Sequence, residues 1–281
     1  MIKEHGLDNT LEKNIENDLI KTFQTNTHYF EMMRNHNLRN GIDEINIESD
    51  VKSLILENLN GKVLDAGCGE CSISIWMSRK NPNTNIFSLD ISSLGIKLGK
   101  ETCDEYNITN INFIIGDVRE IPTINESFDL IICQSVFEHV IGIEKILNEF
   151  YRVLKNGGKV IIRVGNGASG GKFSIIRWLS KKKDVQMIAP SLTLIPGNYK
   201  NHRENFDVCS IPSYVLINNL KKIGFLVENY STFPKHVFKQ DFNEFSKTKR
   251  FFIRILLKFY KFPPIRHMGP TTIVSAVKGK L

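Results

Sequence analysis

The segment Val63-Leu64-Asp65-Ala66-Gly67-Cys68-Gly69-Glu70-Cys71 joins a short apolar run to a helical pattern through two glycines. The apolar run predicts a buried strand that ends near Asp65. At such a turn, glycine lets the backbone approach a ligand closely, and the N-terminus of the following helix favours negative charge. Taken alone, this turn fits any dinucleotide or nucleoside site.

Short apolar runs and helical stretches continue to alternate along the chain. The predicted strands are Lys62–Ala66, Asn85–Asp90, Ile111–Ile115, Phe128–Cys133 and Lys159–Val164. The predicted helices are Cys71–Lys80, Leu94–Tyr106 and Ile141–Leu154, and Gly157-Gly158 is expected to end the last of them. A helix over Ser213–Ile223 and strands over Phe225–Tyr230 and Thr271–Val277 follow. This alternation of strands and helices predicts an α/β protein with a parallel sheet covered on both faces.

The composition is that of an ordinary globular protein. Of 281 residues, 41% are hydrophobic and 24% are charged, which argues against a collagen, a disordered tail or a disulfide scaffold. The odd number of cysteines, 5, fits a reducing cytosol. The first residues carry charge throughout, without the apolar core of a secretory signal, and no run of about 18 apolar residues occurs. We therefore expect a cytoplasmic protein.

Polar residues follow the ends of several predicted strands. Asp90 ends the second strand, Asp117 follows the third within Gly116-Asp117-Val118, and Gln134 follows the fourth. An acid at the tip of the second strand is placed to accept hydrogen bonds from ribose hydroxyls. Ligands of open parallel sheets bind outside the carboxyl ends of the strands, so we expect these side chains to meet in one crevice.

Five segments in this order resemble the class I S-adenosylmethionine-dependent methyltransferases, and most closely the small-molecule (type 11-like) subgroup. They are VLDAGCGE, FSLD, FIIGDV, FDLIICQSVFEHV and EFYRVLKNGGKVIIRV. The resemblance covers about residues 50–165 and resumes at 212–233 and at the final strand. It implies a doubly wound, mostly parallel, seven-stranded Rossmann-like sheet with an antiparallel last strand. It also implies S-adenosylmethionine as cofactor and a methyl-transfer reaction.

The resemblance also assigns cofactor-binding roles to individual residues. The methionine and ribose part of the cofactor would be lined by Asp65, Gly67, Cys68 and Gly69. The ribose hydroxyls would bind Asp90, the adenine would contact Ile91, Asp117 and Val118, and the amino acid end or sulfonium would lie near Gln134. One position departs from the family pattern, since Cys71 stands where a third glycine is usual. That departure puts close helix packing or cofactor affinity in doubt.

The same residues are open to alternative interpretations. The glycines could serve only as turn residues, and Asp90 and Asp117 could serve as helix caps. Cys68-x-x-Cys71 could be a redox or zinc pair, although a structural zinc site needs four ligands and no second cysteine pair follows; no metal is predicted. A nicotinamide-dependent dehydrogenase would need glycine at Ser72.

A catalytic base is needed only where the acceptor loses a proton early in the reaction. The candidates are His139, which follows the fourth strand, and His202 in the first insertion. Tyr199, His236 and His267 are weaker candidates. Glu138 with His139 could also bind a divalent metal, as in some relatives of this type.

The net charge of +7 is unevenly placed. Residues 221–281 hold 13 Lys and Arg against 3 Asp and Glu, which points to an anionic partner. We divide the chain into an N-terminal helical segment, 1–48, and a methyltransferase domain, 49–281, with cap insertions at about 165–211 and 231–269. Both insertions leave strand tips on the cofactor side, so they are expected to cover the acceptor.

Two basic and apolar segments within these insertions leave the acceptor class open. They are KFSIIRWLSKKK (172–183) and KTKRFFIRILLKFYKF (247–262). Their apolar faces either pack on the domain as a lid or make peripheral contact with an anionic membrane. We expect a small-molecule acceptor that is lipid-linked or bears phosphate. RNA methylation and non-catalytic S-adenosylmethionine binding are the alternatives; no separate RNA-binding module is visible.

Overall fold

The computed structural model describes residues 17–18, 20–165, 187–188, 209–232 and 271–279. The helices there are α1 (Thr27–Asn37), α2 (Ser49–Asn58), α3 (Ser72–Lys80), α4 (Ser93–Glu105), α5 (Ile143–Val153) and α6 (Ser213–Ile223), and residues 20–25 are also helical. The strands are β1 (Lys62–Ala66), β2 (Asn85–Asp90), β3 (Ile111–Ile115), β4 (Phe128–Gln134), β5 (Leu154–Gly165), β6 (Met187–Ile188), β7 (Cys209–Ser210), β8 (Phe225–Ser231) and β9 (Thr271–Lys278).

Within these residues, seven strands form one sheet in the order β3-β2-β1-β4-β5-β9-β8. The pairs β1–β2, β1–β4, β2–β3 and β4–β5 are parallel, whereas β9 is antiparallel to both β5 and β8. The predicted mostly parallel, doubly wound sheet with an antiparallel last strand is confirmed. Because the strand order reverses between β1 and β4, a crevice opens above their carboxyl ends.

The central strands are buried on both faces. On β1, Leu64 joins an apolar cluster completed by α5 and α6, and Val63 joins a second cluster completed by α2, α3 and α4. Successive strand residues point to opposite faces, so a strand covered on both sides is apolar at almost every position. This packing fixes where each strand ends, and therefore where the polar residues that follow it lie.

The boundary between α5 and β5 differs from the prediction. The helix ends at Val153 and the strand begins at once, so Gly157-Gly158 lies inside β5 and does not end the helix. Gly157 has a φ of +78°. A Cβ on Gly158 would lie 2.8 Å from the carbonyl oxygen of Lys155. The two glycines therefore permit a bend within the strand. The helix also begins later than predicted, after Gly142, whose φ is +96°.

The connection from α1 to α2 packs on the domain. Ile42 and Ile45 are buried in the same cluster as Val51 and Ile55 of α2. The boundary at residue 48 stays a prediction, and the insertions at 165–211 and 231–269 lie largely outside the described residues. In the described part of the chain, no helix has both the length and the apolar character needed to cross a bilayer.

The packing of Gly99 on α4 against Cys71 allows a stability test. A Cβ at Gly99 would lie 2.5 Å from Sγ of Cys71. Alanine normally stabilises a helix interior by about 0.5–1 kcal/mol relative to glycine. Here we expect Gly99→Ala to lower the free energy of unfolding by about 1–3 kcal/mol, because it overpacks the contact.

In a Cys71→Gly background the same substitution should instead stabilise the protein, since the obstructing sulfur is gone. Urea unfolding of the four proteins measures this coupling. An equal loss of stability in both backgrounds would contradict this account of the packing.

Candidate active site

The turn between β1 and α3 is held against the end of β2. The backbone N–H groups of Gly67 and Cys68 donate to the carbonyl oxygen of Leu89 at 2.7 and 3.0 Å. Gly67 has a φ of +77°, and a Cβ there would overlap the side chain of Val136. Gly69 has a φ of +55°, and the nearest atom to a Cβ there would be 3.9 Å away, on Phe30. A side chain at Gly69 would contact only Phe30 at van der Waals distance, so the backbone there is open to close approach by a ligand.

The carboxylate of Asp90 joins this turn to the start of α4. Its Oδ2 accepts from the N–H of Gly69 and its Oδ1 from the N–H of Ser92, both at 2.8 Å. Burial raises the pKa of Asp90, while these two donors act in the opposite direction. A carboxylate offers about four acceptor positions. Two of them remain for a ligand in the crevice, where ribose hydroxyls are expected.

Asp65 is not among the residues that line the crevice, and its predicted cofactor-binding role stays a prediction. It is about 1% exposed, beneath the turn. Its Oδ2 accepts from Ser74 Oγ at 2.6 Å, and Ser88 Oγ donates to Ser74 Oγ at 2.6 Å. Burial raises the pKa of Asp65 to about 7, although the bond from Ser74 lowers it in part. In the described residues its Oδ1 has no hydrogen-bond partner. This carboxyl therefore supports the floor of the crevice from below.

Asp117 lies in the crevice but is already engaged by a neighbour. Both carboxylate oxygens accept from the Arg119 guanidinium at 2.7–3.1 Å, and Oδ1 also accepts from the Arg119 N–H at 2.8 Å. Although partial burial raises the pKa of Asp117, these bonds hold it below the ordinary value. Arg119 also reaches the carbonyl oxygen of Ile141 at 3.5 Å. The predicted adenine contact must therefore share this carboxylate with Arg119.

The residues after β4 bring further polar groups to the crevice. Gln134 and His139 both line it. Oε1 of Gln134 is buried and has no hydrogen-bond partner among the described residues. Glu138 is buried, and its Oε1 accepts from the N–H of Gly165 at 2.6 Å. Burial raises the pKa of Glu138. These residues give the crevice an unused amide acceptor beside an imidazole.

The cysteine pair packs inside the turn. The Sγ atoms of Cys68 and Cys71 are 3.5 Å apart, and both residues are buried. Cys71 has a φ of +65°, so it occupies a backbone conformation that glycine favours. Burial raises the pKa of the Cys68 thiol well above its usual value, which opposes thiolate chemistry. Among the described residues, no three His, Cys, Asp or Glu side chains are grouped to hold a metal.

The N-terminal helices cover the crevice with aromatic side chains that the sequence interpretation missed. The Phe23 ring lies 5.4 Å from the His139 ring and 6.4 Å from that of Phe30, measured between centroids. The carbonyl oxygen of Phe23 accepts from Ser92 Oγ at 2.6 Å. Tyr29 completes the group, with its ring centroid 5.3 Å from that of Phe30. The cluster of aromatic residues at 23–30 is the sequence signal that could have revealed this wall.

The structure thus gathers most of the predicted cofactor residues around one cleft of about 1170 Å³, counting the part open to solvent. Those that line it are Gly67, Cys68, Gly69, Asp90, Ile91, Asp117, Val118 and Gln134. Of the candidate bases, His139 lines the cleft, whereas His202 lies outside the described residues, as do Tyr199, His236 and His267. The cofactor-binding and catalytic roles of all these residues stay predictions.

Comparison with known proteins agrees with this geometry. Residues 57–183 match the model of a family described as a methyltransferase domain. This part of the chain, just under half of it, is therefore similar to a methyltransferase domain. A demethylmenaquinone methyltransferase from Listeria welshimeri is 34% identical over 99 residues, which are 35% of this chain and 42% of that protein. The match therefore spans less than half the length of that relative.

Solved structures share this fold at low identity. A geranyl diphosphate methyltransferase in complex with GPP and sinefungin aligns with a TM-score of 0.59 and 11% identity, over 94% of this chain and 99% of that one. The cyclase SpnF aligns with a TM-score of 0.56 and 15% identity, over 92% and 96% of the two chains. At these identities the likeness concerns the fold alone, because one fold supports many reactions.

The buried carboxyl of Asp65 makes stability depend on pH. Its pKa rises from 3.8 to about 7 on folding, so the folded state holds one more proton than the unfolded state between these values. The free energy of unfolding should therefore fall as pH rises through this interval, by up to about 1.4 kcal/mol per pH unit from this group. Asp65→Asn, neutral throughout, should remove that slope.

Urea unfolding of the two proteins between about pH 4 and pH 8 measures the difference. The exposed Asp104 provides the control, since Asp104→Asn should leave the slope as it is. Parallel profiles for the wild type and Asp65→Asn would contradict the assignment.

Proposed function

We propose that this protein transfers the methyl group of S-adenosylmethionine to a small-molecule acceptor. The observation that carries the proposal is the cleft at the reversal of strand order, where Asp90 and Asp117 stand at successive strand tips beside the Gly67–Gly69 turn. The match of residues 57–183 to a family described as a methyltransferase domain supports the same activity.

The cleft residues suit the chemical parts of S-adenosylmethionine. Asp90 keeps acceptor positions for ribose hydroxyls after its two backbone bonds. Ile91 and Val118 offer apolar contact to the adenine, and both line the cleft. The unpartnered Oε1 of Gln134 can accept a hydrogen bond from the cofactor's ammonium group. Gly69 leaves the space that a side chain would fill.

The protein's task in such a reaction is positioning. The cofactor supplies a methyl group already activated on a sulfonium. The cleft must hold the acceptor in line with that methyl group and keep water away, and orientation alone lowers barriers by about 7–11 kcal/mol in the best cases. The aromatic wall of Phe23, Tyr29 and Phe30 is suited to excluding water. His139, at the edge of that wall, is the residue we assign as base where the acceptor loses a proton.

We propose an apolar, lipid-linked acceptor. The N-terminal side of the cleft is formed by Ile20, Phe23, Tyr29, Phe30 and Met33, and a wall of this kind suits an apolar molecule. The name of the Listeria relative, a demethylmenaquinone methyltransferase, supports a lipid-linked quinone as the first acceptor to test. A cytoplasmic protein in peripheral contact with an anionic membrane would meet such a substrate, and the basic segments 172–183 and 247–262 suit that contact.

Cofactor binding is tested first, by titration calorimetry with S-adenosylmethionine and S-adenosylhomocysteine. The wild type should bind both, and Asp90→Ala should weaken binding by at least about tenfold, the loss expected for a hydrogen bond to a charged group. Asp104→Ala removes an exposed carboxylate of α4 and should bind like the wild type. The absence of heat with both compounds would end the proposal. Methyl transfer to a demethylmenaquinone then tests the acceptor.

Membrane contact is tested by co-sedimentation with vesicles. The protein should bind phosphatidylglycerol vesicles at low salt, and binding should weaken as the salt concentration rises, because charge attraction to the membrane is screened. Phosphatidylcholine vesicles serve as the uncharged control. A lack of binding to the anionic vesicles at low salt would remove the membrane part of the proposal and leave the methyl transfer in place.

A further inference from the structure

Ser135, the first residue after β4, is held in an unusual conformation at the cleft. Its φ is +53°, which is uncommon for any residue other than glycine. Its N–H donates to the carbonyl oxygen of Arg163 on β5 at 2.8 Å. Ser135 lines the cleft next to Gln134. A residue that carries a hydroxyl group therefore lies where the fourth strand opens into the cleft.

The ion pair of Arg163 and Glu48 holds the Ser135 hydroxyl in place. Nη1 of Arg163 donates to Ser135 Oγ at 2.7 Å. The Nη2 and Nε atoms of the same guanidinium donate to Oε1 of Glu48 at 2.8 and 3.0 Å. Glu48 precedes α2 and is only 8% exposed. A planar guanidinium held by a buried carboxylate has little freedom to turn, so the donor to Ser135 is fixed in direction.

The direction of this bond decides what the hydroxyl can do. Arginine has donors only, so the serine oxygen accepts and the serine hydrogen is free to donate elsewhere. Among the described residues, no atom accepts that hydrogen. Hydrogen bonds in a chain polarise one another, so Arg163 makes the Ser135 hydroxyl a better donor. A polarised donor facing a ligand cleft favours a negatively charged oxygen.

We propose that Ser135 donates a hydrogen bond to an ionised oxygen of the acceptor, an enolate or phenolate. This inference rests on the proposed methyl transfer and names the acceptor class more closely. The acceptor gives its proton to His139, the base assigned above, and stays bound as its conjugate base. The methyl carbon then forms its new bond to the ionised oxygen, or to a carbon conjugated with it, and the bond to sulfur breaks. Glu48 and Arg163 act as positioning residues through Ser135.

The test measures binding of two probes to the protein saturated with S-adenosylhomocysteine. The probes are 4-nitrophenolate, at a pH where it is ionised, and nitrobenzene, which lacks the oxygen. The wild type should prefer 4-nitrophenolate by at least about tenfold. Ser135→Gly suits a positive φ, so it should fold; it should lose the preference for 4-nitrophenolate while binding nitrobenzene as before. Ser135→Asn tolerates the same backbone and restores a donor, so it should recover part of the preference.

Two further variants separate the hydroxyl from the backbone and test the chain of bonds. Asn107 also has a positive φ, of 54°, outside the cleft, so Asn107→Gly should keep the full preference. Arg163→Met removes the guanidinium that donates to Ser135 Oγ and should reduce the preference in part. The inference is overturned if the wild type does not distinguish the probes, or if Ser135→Gly still does. A protein that fails to bind S-adenosylhomocysteine would instead overturn the proposed function itself.

Discussion

The two backbone hydrogen bonds to Asp90 are the constraint on which the cleft depends. They tie the end of β2 to the turn after β1 through Gly69 and to the start of α4 through Ser92. Ser92 in turn binds the carbonyl oxygen of Phe23 at 2.6 Å and so fixes the N-terminal helices above the cleft. This one carboxylate therefore connects the turn after β1, the start of α4 and, through Ser92, the N-terminal helices. Burial raises the pKa of this carboxyl, and the two N–H donors act against that rise.

On the opposite side of the cleft, at the end of β4, an ion pair and not a single carboxylate holds the backbone in place. It joins β5 to the residue preceding α2 and holds a strained serine. The pair of Arg163 and Glu48 carries no net charge, so it can be buried without leaving a free charge, provided that its hydrogen bonds are complete. On the Asp90 side a ligand meets carboxylate acceptors. On the β4 side it meets the amide of Gln134 and the hydroxyl of Ser135, for which we propose a donor role.

Much of this arrangement was accessible from sequence because it follows from strand ends. The apolar runs located the strands, and the parallel order placed Asp90, Asp117 and Gln134 at one edge. What the sequence did not reveal depends on contacts between distant segments. Nothing around Glu48 indicates that it pairs with Arg163, 115 residues away. The position of Asp65 depends on a similar contact: a strand's last residues can point into the crevice or beneath it, and the hydrogen bond from Ser74 holds Asp65 beneath it.

Cys71 shows how a departure from a family pattern is absorbed by the fold. The sequence leaves open whether a cysteine in place of the usual glycine is tolerated or disturbs helix packing or cofactor affinity. The structure keeps the positive φ and accommodates the sulfur against Gly99, where α4 has no side chain. In the family pattern, a glycine before α3 leaves room for the neighbouring helix. Here Cys71 fills that room, and Gly99 on α4 provides the space for its sulfur. A pattern read along one segment cannot predict such an exchange, because the compensating residue is 28 positions away and meets Cys71 only in the folded chain.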